Sequence, residues 1–351
     1  VLFRSVRNFA ITKDNAARFA WDGRNNAGAL ASDGKYAYRL VGTNDAGNTG
    51  YSEPVAVELN TEKADIILSA NVLAFSPNKD GVQDTIVFTP KMKSSTAVDS
   101  YTFSIYDQNG AAVKTVSGNG MPPASISWDG IADAGDAKGQ LCADGVYSAA
   151  IDVVLKNEQS AKSTIPEITL DTMYPEITVS TPYLVFSTDS AAKRPNLPVT
   201  QNGSVENLWT GVITSADGKE IRTFTWEGQA SDFVWDGTDA SGNKVADGAY
   251  RYTVSAQDPA GNRKTLSLDN IIIDSRVPKA YITAELPAFS PNGDGIKDTQ
   301  NLTVHTTLKD GLASWEISIT AADNSAAAPV KTWSSEKGDT LSSMMQWDGK
   351  S

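Results

Sequence analysis

The stretch Trp235-Asp236-Gly237-Thr238-Asp239-Ala240-Ser241-Gly242-Asn243-Lys244-Val245-Ala246-Asp247-Gly248-Ala249-Tyr250 decides the fold. A large aromatic followed at once by Asp-Gly reads as the last inward residue of a strand. The Asp side chain can bond its own backbone and the Gly tolerates positive φ. The second Asp-Gly opens a return strand, in which Tyr250, Tyr252, Val254 and Ala256 fall on one face and Arg251, Thr253, Ser255 and Gln257 on the other. This spacing predicts a long β-hairpin carrying one Trp and one Tyr into a core. Core packing is the stronger expectation over a sugar-stacking platform, because aromatics supply so much of a core's buried area.

The signature recurs as Trp128-Asp129-Gly130 with Asp144-Gly145 and Tyr147, and as Trp21-Asp22-Gly23 with Asp33-Gly34 and Tyr36. A further copy starts at Trp347-Asp348-Gly349. The tryptophans recur about every 107 residues, which marks a tandem array. Alternation returns as well, in Tyr36, Tyr38 and Leu40 and in Tyr147, Ala149, Ile151 and Val153. Residues 60–170 and 171–273 read as complete repeats, 1–59 as the C-terminal half of one, and 274–351 as the N-terminal half of another. Val1-Leu2-Phe3-Arg4-Ser5 reads as translated adapter sequence and is set aside. Both ends fall inside a repeat, as expected of a piece of a longer protein. The halves 6–59 and 279–351 are complementary and are expected to pair between molecules by strand exchange.

About seven strands in roughly 110 residues is the count of an immunoglobulin-like sandwich. The predicted fold is therefore all-β, made of tandem immunoglobulin-like or fibronectin-III-like β-sandwich repeats, with no segment of helical period. The junctions Leu59-Asn60-Thr61, Leu170-Asp171-Thr172 and Ile273-Asp274-Ser275 repeat too. Pro175 and Pro278 follow two of them and predict a semi-rigid string.

A net charge of −12 argues against a nucleic-acid partner, which needs clustered Lys and Arg to displace counterions. No apolar run approaches the roughly 20 residues that span a bilayer as a helix. Cys142 is the only cysteine, so no internal disulfide forms, and it reads as a small apolar residue. His305 is the only histidine and stands in a strand-like context. No nucleophile elbow, zinc-ligand pair or catalytic triad spacing is present, and most aspartates already serve turns, so no enzyme is expected.

The most specific polar cluster is Ser290-Pro291-Asn292-Gly293-Asp294-Gly295-Ile296-Lys297-Asp298. On a calcium loop, Asn292, Asp294, the Ile296 carbonyl and Asp298 take ligand positions and Asn301 the last one. Ser290 in place of Asp at the first position and Asn301 in place of Glu at the last weaken the match. Asn78, Asp80 and Asp84 form a weaker copy, with Val87 at the last position. The competing reading is an Asx-turn loop that pins Phe289 or Phe75 into a core. In the second complete repeat only Ser187-Thr188-Asp189 remains of this loop.

The Trp-Asp-Gly, Gly, Asp-Gly, Tyr signature, followed by turns such as Asp258-Pro259-Ala260-Gly261-Asn262, resembles the Ig-like domain of flagellar hook-capping proteins of the FlgD type. Related modules occur in exported proteases of the Vpr type. The Phe-Ser-Pro-Asn-x-Asp-Gly-x-x-Asp loop resembles openings of domains in gliding-associated and other secreted bacterial surface proteins. The resemblance implies an exported, non-catalytic stalk or spacer module, at the cell surface, extracellular or periplasmic, with neighbouring repeats of the same chain as partners and no catalytic residues to carry over. The alternatives are an adhesin module that binds a protein or surface glycan, or an accessory region of a secreted hydrolase. Trp209, Trp226 and Trp333, outside the signature, are the expected surface aromatics for the adhesin alternative.

Overall fold

The computed structural model describes every residue except 1–3, 12–18, 134–136, 309–311, 324–327 and 336–339. The described residues form strands, turns and loops, with no helix. In the first complete repeat Ile126–Trp128, Ile86–Met92 and Ile66–Ala70 make a three-stranded sheet in that order. Ala74–Phe75, Ser160–Leu170, Gly145–Leu155, Val98–Tyr106 and Ala112–Asn119 make a five-stranded one. The second repeats this order. Its smaller sheet is Ile177–Ser180, Leu197–Gly203 and Phe233–Trp235. Its larger one is Val185–Phe186, Arg263–Ile273, Gly248–Gln257, Val205–Ser215 and Glu220–Gln229. Each exceeds the seven strands read from the sequence because a two-residue strand, Ala74–Phe75 or Val185–Phe186, pairs parallel to the last strand of its repeat.

The alternation read from the sequence is real. Tyr250, Tyr252, Val254 and Ala256 are buried while Arg251 and Gln257 are exposed. One expectation is corrected, because the Trp and Tyr of a signature do not share a hairpin. Trp128 pairs with Ile86 in the smaller sheet, whereas Tyr147 pairs with Ile168 in the larger one. Between them only an isolated bridge forms, Ile131 with Leu141, matched by Thr238 with Lys244 and Arg24 with Leu30. The segment is a crossover from one sheet to the other, which is why it carries so many turn residues.

Crossing the sandwich is what brings the rings together. Trp128 and Tyr147 meet edge to face at 5.2 Å between centroids, Trp235 and Tyr250 at 5.2 Å, and Trp21 and Tyr36 at 4.8 Å. Phe75, Phe186 and Phe289, which open the loops, pack on Trp128, Trp235 and Trp347 at 5.2, 5.4 and 5.3 Å. The polar ends of these rings are satisfied locally. Each signature Trp donates its indole N–H to the carbonyl three residues on, Ile131, Thr238, Arg24 or Lys350. Tyr147 and Tyr250 donate their hydroxyls to Ala143 and Ala246 at 2.6 Å, and Tyr36 does so to Ser32. Burial pushes the Tyr147 hydroxyl up to about 12. Gly237 is required twice over, since its φ is +75° and an added Cβ would lie 2.5 Å from Thr188 Cγ2.

Each complete repeat has its own core, one around Trp128, Phe75, Phe88 and Phe103, the other around Trp235, Trp209, Tyr252 and Phe186. Residues 274–351 carry a smaller cluster of Val304, Ile317 and Met345. Residues 6–59 pair Gly34–Tyr38 with Val55–Leu59 and Val41–Thr43 with Thr49–Tyr51, and Leu40 there is exposed, unlike its buried counterparts Ile151 and Val254. Trp128→Ala is expected to cost about 3–5 kcal/mol in urea unfolding, the range for deleting a fully buried aromatic, and Trp21→Ala clearly less because Trp21 is only half-buried.

Candidate functional site: the junctions between repeats

The sequence singled out two acidic loops, and both close on themselves. Asp298 accepts the Gly293 and Gly295 amides at 2.8 and 2.7 Å, and Asp294 accepts the Ile296 amide at 2.8 Å and the Asn292 side-chain amide at 2.9 Å. These bonds hold the Asp294 carboxyl below its usual value, Asn292 contributing most. In the earlier loop Asp84 accepts from Lys79 and Gly81, and Asp80 from Val82 and Asn78. Asn292, Asp294 and Asp298 are thus gathered in one loop, with the Ile296 side chain exposed. Asn301 is engaged elsewhere, donating to Glu285 and accepting from Gln346. Among the described residues no group of three or more His, Cys, Asp or Glu is arranged to hold a metal ion.

The surface aromatics are corrected by the structure. Trp209 is fully buried, donating its indole N–H to Ser204 at 3.0 Å, because Val205–Ser215 is an inner strand of the larger sheet and turns this residue to the core. Trp226 lies partly buried against Phe224 and Phe233, and Trp333 packs on the small cluster of residues 274–351. No exposed row results. Cys142 is buried, and His305 is half-buried and stacked on Tyr281 at 4.4 Å.

The polar chemistry concentrates at the junctions, which sequence reasoning treated only as linkers. The Asp of the second Asp-Gly reaches forward to the junction Thr or Ser in all three cases. Asp33 accepts from the Thr61 amide and hydroxyl at 3.0 and 2.9 Å, Asp144 from the Thr172 hydroxyl at 3.0 Å, and Asp247 from the Ser275 amide at 2.9 Å. Every pair is 28 residues apart, a constant offset between the Asp-Gly and the junction that the sequence displays and that could have revealed the bond. The residue before each of the last two is fixed as well, Asp171 N–H donating to Phe75 O and Asp274 N–H to Phe186 O.

The following repeat then clamps the junction from its other side with the turn before its last strand. Asn157 donates its side-chain amide to Asn60 Oδ1 at 3.1 Å and to the Glu62 carbonyl at 2.9 Å. Asn262, fully buried, donates to the Asp171 carbonyl at 2.9 Å and accepts from Asn78 at 3.0 Å. Gln83 completes the contact by donating to the Pro259 carbonyl at 2.9 Å, while Val82 lies against Gly261, where an added Cβ would stand 3.0 Å from Val82 Cγ1. The loop Asn78–Asp84 of one repeat is therefore seated on the Asp258–Asn262 turn of the next. Two clefts flank these junctions, one of 450 Å³ bordered by Leu73, Gln83 and Pro259 and one of 510 Å³ bordered by Asp33, Asn60 and Glu62.

Glu62 caps the first junction. Its carboxylate accepts from the Thr96 and Ser95 hydroxyls, their amides and the Ser94 hydroxyl, and these bonds bring its pKa from 4.5 down to about 2.

These features define a class: tandem Ig-like β-sandwiches with built polar contacts between repeats. Residues 186–260 match the family model of the FlgD Ig-like domain. No curated protein matches the chain. Among solved structures, the tetra-tandem repeat in the extending region of a large adhesion protein is 17% identical, at 93% coverage of this chain and 75% of that one, with a TM-score of 0.31. The CbhA fibronectin(III)-like modules of Clostridium thermocellum are 13% identical, over 60% of this chain and 94% of that one, with a TM-score of 0.34. A structure bearing on host cell surface retention of a bacterial ice-binding adhesin is 18% identical, over 73% and 80%, with a TM-score of 0.27.

A carboxyl whose pKa is depressed on folding stabilises above its unfolded value and loses that contribution as pH falls through the folded one. The Glu62 cap is therefore expected to be complete above pH 4.5 and lost as pH falls towards 2. Amide chemical shifts of Ser95 and Thr96 against pH report this, and Glu62→Gln should leave both titrations flat in that window.

Proposed function

We propose that this chain is a non-catalytic stalk or spacer of an exported bacterial surface protein, in which consecutive Ig-like repeats are held in a set orientation by their junctions. The observation that carries this reading is the doubly held linker. From one side the signature Asp bonds the junction Thr or Ser; from the other, Asn157 or Asn262 of the next repeat bonds the linker main chain. A flexible tether would leave these groups to water. Pro175, buried just past the second junction, limits backbone freedom further. Among the described residues no helix is long and apolar enough to cross a membrane.

The test is orientation rather than stability. Residual dipolar couplings or small-angle scattering of the chain should fit one arrangement of residues 60–170 and 171–273, and Asn262→Ala should broaden it while each repeat keeps its own melt. Equal averaging in both proteins would refute the stalk reading.

Calcium at Asn292, Asp294, Ile296 and Asp298, and more weakly at Asn78, Asp80 and Asp84, stands as a separate proposal supported by ligand spacing. Thermal melts with millimolar calcium are expected to run above melts with chelator, and coincident melts would refute the proposal. A calcium-dependent rise lost in Asp294→Ala and Asp298→Ala would establish a metal site, since a ligand of the folded state must raise the melting temperature.

A further inference from the structure

The strand Glu220–Gln229 is the edge of the larger sheet in the second complete repeat, as Ala112–Asn119 is in the first. The two begin alike. Val113 O accepts the Asp133 amide and Ile221 O accepts the Ala240 amide, and at each of these residues the register on the inner neighbour shifts. Thr115 N–H donates to Asp133 Oδ1 at 3.0 Å, away from the sheet. Main-chain groups of alternate residues in a strand point to opposite sides, so the equivalent Thr223 turns outward, and Thr225 and Glu227 with it. Neighbours along the chain do not cover this edge. In the first repeat, which a complete repeat follows, and in the second, which a complete repeat precedes, the strand is bonded only within its own repeat.

The two edges differ in protection. Asp133 takes the Thr115 amide and pairs with Lys114 at 3.7 Å, and the strand then runs Ser117-Gly118-Asn119. A charge and a weak strand former blunt an edge against pairing. In the second repeat Ala240 stands in the place of Asp133, and among the described residues no side chain takes the Thr223 amide. The strand there runs Thr223-Phe224-Thr225-Trp226-Glu227, free of Lys, Pro and Gly. Thr223, Thr225 and Glu227 are exposed, while Phe224 and Trp226 are partly buried, stacked at 6.0 Å beside Phe233.

This stretch is complementary to itself. Laid antiparallel on a second copy about Thr225, it sets Thr225 against Thr225 and Thr223 against Glu227, each pair exchanging two main-chain bonds. Between them Phe224 faces Trp226 on the core side, at the closer spacing where cross-strand rings pack. Arg222 faces Gly228, so no charge meets its like.

We propose that Glu220–Gln229 is a lateral interaction surface for a second copy of this chain, the two larger sheets joining edge to edge about a two-fold axis at Thr225. Such a contact is isologous and closes as a dimer. It sets chains side by side and does not depend on how repeats follow one another, so its failure would leave the orientational effect of Asn262→Ala intact.

Sedimentation equilibrium and cysteine trapping of the chain test it. Wild-type protein should show a reversible monomer–dimer equilibrium at high concentration. Thr225→Cys sets two thiols opposite one another with Cα atoms about 5.5 Å apart, within reach of a disulfide, so air oxidation should yield a covalent dimer. Thr223→Cys faces Glu227 and should yield none. The native Cys142 is buried and gives no background. Ala240→Asp restores the carboxylate of the first repeat beside the Thr223 amide, and Thr225→Pro removes only an outward N–H. Each should abolish association while the repeat stays folded. Ala240 is an exposed turn residue, so this variant reads the same edge should the proline variant fail to fold. A monomer at every concentration overturns the proposal. So does association that survives either variant, or equal trapping at positions 223 and 225, since both would put the contact on another surface.

Discussion

The bond from the second Asp of each signature to a Thr or Ser 28 residues later is the constraint on which the assembly of repeats depends. The Asp sits where the chain enters the strand carrying the core Tyr, so its position is set by the sandwich itself. The Thr or Ser sits where the chain leaves the last strand. A carboxylate that spans the two converts the exit of a repeat into part of its fold. The linker therefore leaves in a direction dictated by packing, and the next repeat inherits it. Individually such exposed bonds contribute little, because water competes for every partner. Their effect here is to select one exit geometry among many rather than to add stability.

The aromatic framework makes that geometry reproducible. Phe, Trp and Tyr meet in the same order in both complete repeats, within 5.2 to 5.4 Å, and each polar ring atom is satisfied within four residues of its own position. A core element satisfied so locally tolerates change elsewhere. The second complete repeat has lost its polar loop, yet Phe186 still packs on Trp235.

Much of this was legible in the sequence, and the failures are instructive. Alternation at Tyr250, Tyr252, Val254 and Ala256 gave the buried face directly, because side chains alternate across a strand. The same local signal could not tell a hairpin from a crossover. Trp128 and Tyr147 flank a turn-rich segment in either case, and only the pairing of each with a distant strand separates the two. Trp209 was misread for a related reason, since periodicity within one strand does not say whether that strand is central or at an edge. The junction bonds were missed because they join residues that are polar, exposed in isolation and far apart; only the constancy of their spacing marks them. The acidic loops were legible as turns, but their role as one half of an inter-repeat contact depends on Asn262 and Pro259, in another repeat.

Native-state hydrogen exchange at the junction amides tests the central claim most directly, since protection measures how rarely a bond opens. Thr61 N–H and Ser275 N–H donate to signature carboxylates, and Asp171 N–H and Asp274 N–H donate to the Phe75 and Phe186 carbonyls. If the linkers are part of the folded repeats, these four amides exchange only with the opening of the neighbouring strands. Exchange at the rate of an unstructured chain, with the sandwich cores still protected, would mean that the repeats are beads on a free string and would contradict the account.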